Sequence, residues 1–264
     1  AAILREEGVL VTMDYLGEAV STTQEADGAL ASYQSIIESM SSALLESTIS
    51  VKPTQLGLGL DAEECASRIR ILVEKAKARD VGVEIDMEDS PYTQATLDLY
   101  IKTLQWVPGT RVSLQSYLRR SEDDFRKVVS LGGSVRLVKG AYLEPQEVAF
   151  QKKSEVDETF RQLVSIGVTR EARDAGFYLA VGSHDDALVT YTLGVAKENG
   201  LSPEEFEFQF LFGIRKDLQR HLAAKGYRVR VYLPFGDQWY PYFMRRLAER
   251  PANLAFILKN MVKG

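Results

Sequence analysis

Cysteine, histidine and long apolar runs are all scarce in this chain. One cysteine, Cys65, among 264 residues excludes an internal disulfide and makes a reducing compartment the default. The two histidines, His184 and His221, form with that cysteine no spacing suited to zinc, so no metal site is expected. No stretch approaches the roughly 18 apolar residues of a membrane span, and no basic start precedes an apolar core as in a signal peptide. Positive charge is not in excess: 32 Lys and Arg against 37 Asp and Glu leave a net charge of -5, which argues against nucleic acid as a partner. The fingerprint G-x-G-x-x-G is absent, and "LGLGLD" (56–61) reads as a turn before a helix capped by Asp61 rather than as a phosphate loop. What remains, 45% hydrophobic and 26% charged residues, is the composition of an ordinary globular chain.

Short β-rich runs recur along it: "VLVTMD" (9–14), "TISVK" (48–52), "VEIDM" (83–87), "RVSLQ" (111–115), "VRLVK" (135–139), "FYLAVGS" (177–183), "EFEFQF" (205–210) and "RVRVYL" (228–233). Residues of helical period lie between them, such as Tyr33, Ile36, Ile37, Met40 and Leu44, or Cys65, Ile69, Leu72, Val73 and Ala76. Ser121 with Asp124 offers a capping-box start, and Gly132, Gly176, Gly200 and Gly226 each follow a helical pattern as stop signals. Eight strand–helix alternations predict an α/β protein with a distorted (β/α)8 TIM-type barrel. No linker divides the chain, so residues 1–264 are read as one domain. The opening "AAILREEG" reads as the last turns of a helix running into a strand, which leads us to expect that flanking N-terminal helices are missing.

One face of most predicted strands is polar. Glu84 and Asp86 alternate with Val83, Ile85 and Met87, Ser113 and Gln115 with Val112 and Leu114, and Arg230 and Tyr232 with Val229, Val231 and Leu233. With the apolar face against helices, the lumen holds the acids Asp14, Glu84, Asp86 and Glu207 beside the bases Lys52, Arg136 and Arg230. Buried charges persist only when paired, so structural ion pairs are the bland reading for Glu84, Glu207 and Arg230. Residues at strand C-terminal ends face the mouth where sites of this fold sit: Asp14, Lys52, Asp86, Gln115, Lys139, His184, Gln209 and Tyr232. Two function classes fit such a mouth on residue grounds, a Schiff-base aldolase using Lys52 or Lys139 and a binding or regulatory barrel without turnover.

The segments "SVKPTQLG" (50–57), "DMEDS" (86–90), "SLQSYL" (113–118), "RLVKGAY" (136–142), "SHD" (183–185), "FEFQFLFG" (206–213) and "YLPFGDQWYPYFMRRLAERP" (232–251) occur in this order. In combination they resemble the proline dehydrogenase family, flavoenzymes with a distorted (β/α)8 barrel that oxidise L-proline to Δ1-pyrroline-5-carboxylate. The resemblance runs from the first strand to the last helix, and it implies hydride transfer from proline C5 to flavin N5, starting from the neutral amine. It also implies FAD, with FMN left open because Leu143 stands where some relatives have an aromatic against the adenine. Reoxidation by a quinone is implied, and with it a cytoplasmic location with at most peripheral contact at the inner face of the cytoplasmic membrane. Oligomeric state is not legible.

Residue roles follow from the same resemblance. Arg136, Lys52, Asp86 and Tyr232 form the catalytic set. Arg245 and Arg246 match the pair that clamps the substrate carboxylate with Lys52, while Tyr142, Leu211, Tyr232 and Tyr242 match positions packed around the proline ring. Tyr232 is absent from relatives that prefer hydroxyproline, which favours proline. Asp86 either touches substrate or orients Lys52. For the flavin, Arg136 matches the cation beside its reactive edge, with pairing to Asp86 or Glu84 as the structural alternative. Gln115 and His184 match donors to the pyrimidine side, Val138, Lys139, Gly140 and Ala141 the segment along the ribityl and phosphate chain, and Glu249 a helix carboxylate reaching toward it. Glu18 matches a loop acid that pairs with Arg245 as a gate over bound substrate.

Overall fold

Residues that alternate in polarity give each strand one face for helices and one for a lumen. In a computed structural model, which describes residues 4, 7–17, 19–42 and 47–236 (Ser41 and Ser42 by backbone alone), these strands close into a barrel. The order is β1 (Leu10–Tyr15), α1 (Thr23–Ser42), β2 (Ser47–Val51), a 3-10 turn (Pro53–Leu56), α2 (Ala62–Ala78), β3 (Gly82–Ile85) and α3 (Ser90–Trp106). Then come β4 (Arg111–Gln115), α4 (Ser121–Ser130), β5 (Ser134–Val138), α5 (Lys153–Gly167), the short α6 (Arg170–Asp174) and β6 (Tyr178–Gly182). The described part ends with α7 (Asp186–Glu198), β7 (Glu207–Leu211), α8 (Lys216–Ala224) and β8 (Arg228–Phe235). All eight expected strands are present and parallel, and β8 closes on β1 with Leu10 opposite Arg230 and Tyr15 opposite Phe235.

The main core lies between strands and helices. The stripe read from α2 is the one it buries, Cys65, Ile69, Leu72, Val73 and Ala76, and α1 buries Tyr33, Ile37 and Met40. Leu44, on the same expected stripe, lies outside the described residues. Each fully buried Ile, Leu or Phe contributes roughly 1.5–3 kcal/mol. The Cys65 thiol is pushed up to about 12 by burial, as suits an inert core position.

The stop signals are where the sequence placed them, with Gly132, Gly176, Gly200 and Gly226 at φ of 61°, 94°, 67° and 85°. Asp61 caps α2, accepting from the N–H groups of Glu63 and Glu64. The capping box at Ser121 does not form. Ser121 Oγ donates to the Gln115 carbonyl at the exit of β4, and Asp124 pairs instead with the Arg120 guanidinium at 2.6 Å. A backbone acceptor six residues upstream outcompetes the local cap.

Candidate active site

Pro53 sets the direction of the first cation. A proline disfavours helical backbone in the residue before it, and Lys52 is extended at φ -100° and ψ 118°. Its ammonium pairs with Asp14 at the end of β1 and lies 3.5 Å from Asp86 beyond β3. Ser50, two residues earlier on the same strand face, donates to Asp86, while the Lys52 backbone N–H reaches the Tyr33 hydroxyl at 3.4 Å. Burial alone would favour a neutral amine, yet Asp14 and Asp86 outweigh it and hold Lys52 above its ordinary pKa. Burial would likewise raise Asp86, but Arg136 and Lys52 outweigh it and hold its carboxyl down at about 2. Asp14 goes the other way: burial, reinforced by the Asp86 charge, lifts it despite Lys52. Its Oδ2 is buried with no hydrogen-bond partner among the described residues.

Arg136, pointing inward from the middle of β5, joins this corner to the lumen. Its guanidinium pairs with Glu84 through Nη1 and with Asp86 through Nη2, and lies over the Tyr232 ring at 5.0 Å from the centroid. Tyr232, from β8, donates its hydroxyl to Asp86 Oδ2 at 2.8 Å. The structural pairing expected as an alternative for Arg136 is therefore present with both acids at once. Asp86 collects Ser50, Lys52, Arg136 and Tyr232.

Deeper in the barrel, Glu84 also accepts from Arg111 at 2.9 Å, and Glu207 from Arg111 at 2.6 Å and Arg230 at 3.0 Å. Glu84 and Glu207 are at most 1% exposed, so the bland reading of them as buried ion pairs holds. Gln209, expected at the mouth, belongs to this layer instead: it is the middle residue of β7, and its amide donates to Glu84 at 3.0 Å and Glu207 at 2.8 Å.

A second set occupies the adjoining arc β4–β7. Gln115 is buried at the end of β4 with one Nε2 hydrogen donated to the Glu88 carbonyl at 2.8 Å. His184, after β6, accepts the Leu211 N–H on Nε2 at 2.9 Å, which places its proton on Nδ1 and makes that nitrogen the donor. Val138 ends β5, and Lys139, Gly140, Ala141 and half-buried Tyr142 follow. Lys139 bridges Asp157 at 2.6 Å and Asp185 at 3.0 Å. Gly140 has φ 112°, and a Cβ there would run into the Tyr117 ring, so this protein itself requires the glycine.

The donor set suits a flavin. Its pyrimidine edge carries carbonyl oxygens and its phosphates are anionic, and Gln115, Arg136, Lys139 and the Nδ1–H of His184 provide donors and cations on neighbouring strands. It does not suit a Schiff-base lysine, since Lys52 and Lys139 are each held by two carboxylates and Lys52 is pushed toward the charged form. Groups that could hold a metal are absent among the described residues. Glu18, Tyr242, Arg245, Arg246 and Glu249 lie outside the described residues.

Four members of this network do not stand out in the sequence: Asp14 lies at the mouth without an evident partner, Ser50 and Arg111 are ordinary strand positions, and Tyr33 fits an apolar helix stripe. Arg111 shares strand parity with Ser113 and Gln115, and that signal was available.

A family model described as proline dehydrogenase matches residues 1–259. The chain is 40% identical over 260 residues to proline dehydrogenase 1 of Bacillus subtilis (strain 168), covering 98% of this chain and 84% of that one. It is 38% identical over 271 residues to the proline dehydrogenase of Deinococcus radiodurans, covering 99% and 84%. Among solved structures, proline utilization A from Bdellovibrio bacteriovorus superposes with a TM-score of 0.86 over 93% of this chain and 30% of that one; at 22% identity it bears on the fold alone. Taken with the closed barrel, the match over nearly the whole length shows that this chain belongs to the proline dehydrogenase family.

Proposed function

We propose that the chain, as one domain over residues 1–264, oxidises L-proline to Δ1-pyrroline-5-carboxylate, the first step of proline catabolism to glutamate. The observation that carries this reading is the convergence of Lys52, Asp86, Arg136 and Tyr232 at one barrel mouth. Proline presents a carboxylate next to a compact apolar ring, and a permanently charged lysine beside an aromatic wall suits both halves. Lys52 binds the carboxylate with Arg245 and Arg246, while Tyr142, Leu211, Tyr232 and Tyr242 enclose the ring. Asp86, with four donors on it, orients Lys52 and Tyr232 rather than touching substrate. The ring nitrogen enters neutral or gives its proton to water, so no strong general base is required.

A bound flavin, FAD as the expected form with FMN as the alternative, supplies the two-electron acceptor for the hydride leaving C5. Gln115, Arg136, Val138, Lys139, Gly140, Ala141, His184 and Glu249 hold it, and the fixed Arg136 cation favours negative charge developing beside it. Glu18 pairs with Arg245 to close over substrate. Electrons pass on to a quinone from a cytoplasmic enzyme with at most peripheral membrane contact; no helix among the described residues is long and apolar enough to cross a membrane.

The test is colour. Purified protein should show flavin absorption that bleaches on adding L-proline, and Arg245→Met or Arg246→Met should raise the KM for proline strongly with flavin content nearly intact. A colourless protein that takes up neither FAD nor FMN overturns the reading.

A further inference from the structure

The stretch from Lys139 to Lys152 links β5 to α5, and beyond the ion pairs of Lys139 with Asp157 and Asp185 it is fastened from two more sides. On one side the exit of β4 extends the sheet beyond its end. Ser116 N–H donates to the Val138 carbonyl at 2.8 Å and Tyr117 N–H to the Lys139 carbonyl at 2.9 Å. The return limb of the loop answers, with Phe150 N–H on the Tyr117 carbonyl at 2.8 Å and Arg119 N–H on the Val148 carbonyl at 2.9 Å. Tyr117, Leu118 and Ala149 form a small core of their own there, and the Tyr117 ring fills the space beside Gly140.

On the other side the fastening is a single carboxylate. The first N–H groups of a helix need acceptors from outside it, and Asp89 stands at the cap position of α3, yet its side chain makes no capping bond. Glu144 takes that place from 54 residues away: it accepts the Ser90 N–H on Oε1 at 2.7 Å and the Ser90 hydroxyl on Oε2 at 2.5 Å. The helix N-terminus adds its own attraction for the negative charge. Gln151 Nε2 then closes the loop on itself through the Glu144 carbonyl at 3.1 Å. Glu144 is two residues beyond Tyr142, and Ser90 is four beyond Asp86. One ion-assisted contact thus ties the loop that carries Asp86 to the segment Val138–Ala141.

A cap for α3 alone would come most simply from Asp89. A distant residue in that place does something a local cap does not, which is to set one loop against the other. We infer that Glu144 and Ser90 form a latch that positions Val138–Ala141 for the flavin; the inference rests on reading that segment as cofactor-binding. Neither residue touches the flavin in this assignment, so both act through the backbone they hold.

The test measures flavin loss from the holoenzyme at low temperature, followed as free-flavin fluorescence after dilution, beside a thermal melt by circular dichroism. Glu144→Gln and Ser90→Ala should release flavin more than threefold faster than the unaltered protein, toward the about ten- to hundredfold that charge-assisted hydrogen bonds are worth. Ser90→Thr, which keeps the hydroxyl, should stay within threefold. Where Glu144→Gln fails to fold, Ser90→Ala against Ser90→Thr decides. Release within threefold for the loss variants overturns the latch whatever the melt does, because a lowered melt alone marks a helix cap. Equal release from Ser90→Thr and Ser90→Ala overturns it too. Unaltered protein that carries no flavin would instead overturn the reading of the site, before any variant is compared.

Discussion

Tyr232→Phe removes one hydroxyl and leaves an aromatic ring where it was. In the structure that hydroxyl donates to Asp86 at 2.8 Å while the ring lies under the Arg136 guanidinium at 5.0 Å. A hydrogen bond to a charged group is worth about 1.5–3 kcal/mol. Asp86 keeps Ser50, Lys52 and Arg136 after the loss, so no buried carboxylate is stranded and the lower figure applies. About 1.5 kcal/mol is about tenfold in kcat/KM. The loss should appear mainly in KM if, as proposed, Asp86 acts on substrate through Lys52. Tyr232→Ala also removes about 1 kcal/mol of cation–π contact and roughly 1 kcal/mol of apolar wall against a small ring, about thirtyfold more. The assay is steady-state proline oxidation by flavin-replete protein with an artificial acceptor. A phenylalanine variant within twofold of the unaltered enzyme would show that the Tyr232–Asp86 bond does not organise the site, and one as impaired as the alanine variant would show that the ring does nothing.

Glu84→Ala strips one carboxylate from two buried guanidinium groups, Arg111 and Arg136, a loss of about 3–5 kcal/mol that should lower Tm by roughly 6–10 °C in a thermal melt. Acid stability should follow Asp86: with its folded carboxyl held at about 2 against an ordinary 3.8, its share of about 2 kcal/mol is full above pH 4 and lost as pH falls through 2. Asp14 works in the opposite sense, its raised carboxyl favouring the fold at low pH and losing that share as pH rises through the raised value, so urea titrations of Asp86→Asn and Asp14→Asn between pH 2 and 6 should bend in opposite directions. Gly140→Ala meets both a left-handed backbone and the Tyr117 ring, and should cost about 2–4 kcal/mol in urea unfolding. Borohydride with an aldehyde or ketone substrate should trap no adduct on Lys52 or Lys139, since Lys52 is held charged between Asp14 and Asp86 and the Lys139 amine is engaged by Asp157 and Asp185; mass spectrometry of the reduced protein checks it.

The barrel was legible because its signals are local. A strand with period-2 polarity announces both faces within five residues, and the lumen charges at Glu84, Arg136, Glu207 and Arg230 stand on the parity that the pattern predicts. What failed to show were contacts decided by the folded path of the chain. Ser121 carries a cap signature, but its hydroxyl finds the Gln115 carbonyl six residues back, an acceptor that the turn out of β4 presents and a capping pattern does not encode. Tyr33 fits an apolar stripe, and nothing nearby says that its hydroxyl will meet Gln55 and the backbone of Lys52. Glu144 looks like any loop acid until the fold brings Ser90 to it. Strand parity fixes which face a residue occupies, and only closure of the barrel fixes which residue it meets.

That distinction bears on why the lumen is charged at all. Buried ion pairs are weak grounds for stability, since well-packed hydrophobic replacements are often as stable or more so. An apolar lumen of the usual branched residues would close this barrel too. It would, however, leave Arg136 with Asp86 as its one carboxylate, so that only one end of the guanidinium fork would be held by an ion pair. With Glu84 on Nη1 and Asp86 on Nη2, both ends of the fork are fixed, and Glu84 is itself fixed by Arg111 and Gln209. The same Asp86 then sets Lys52 and Tyr232. The deep pairs and the mouth are one network, so substitutions at Glu84 and Asp86 should not combine additively. The lumen charges hold Arg136, Lys52 and Tyr232 in one arrangement, which stability alone does not require.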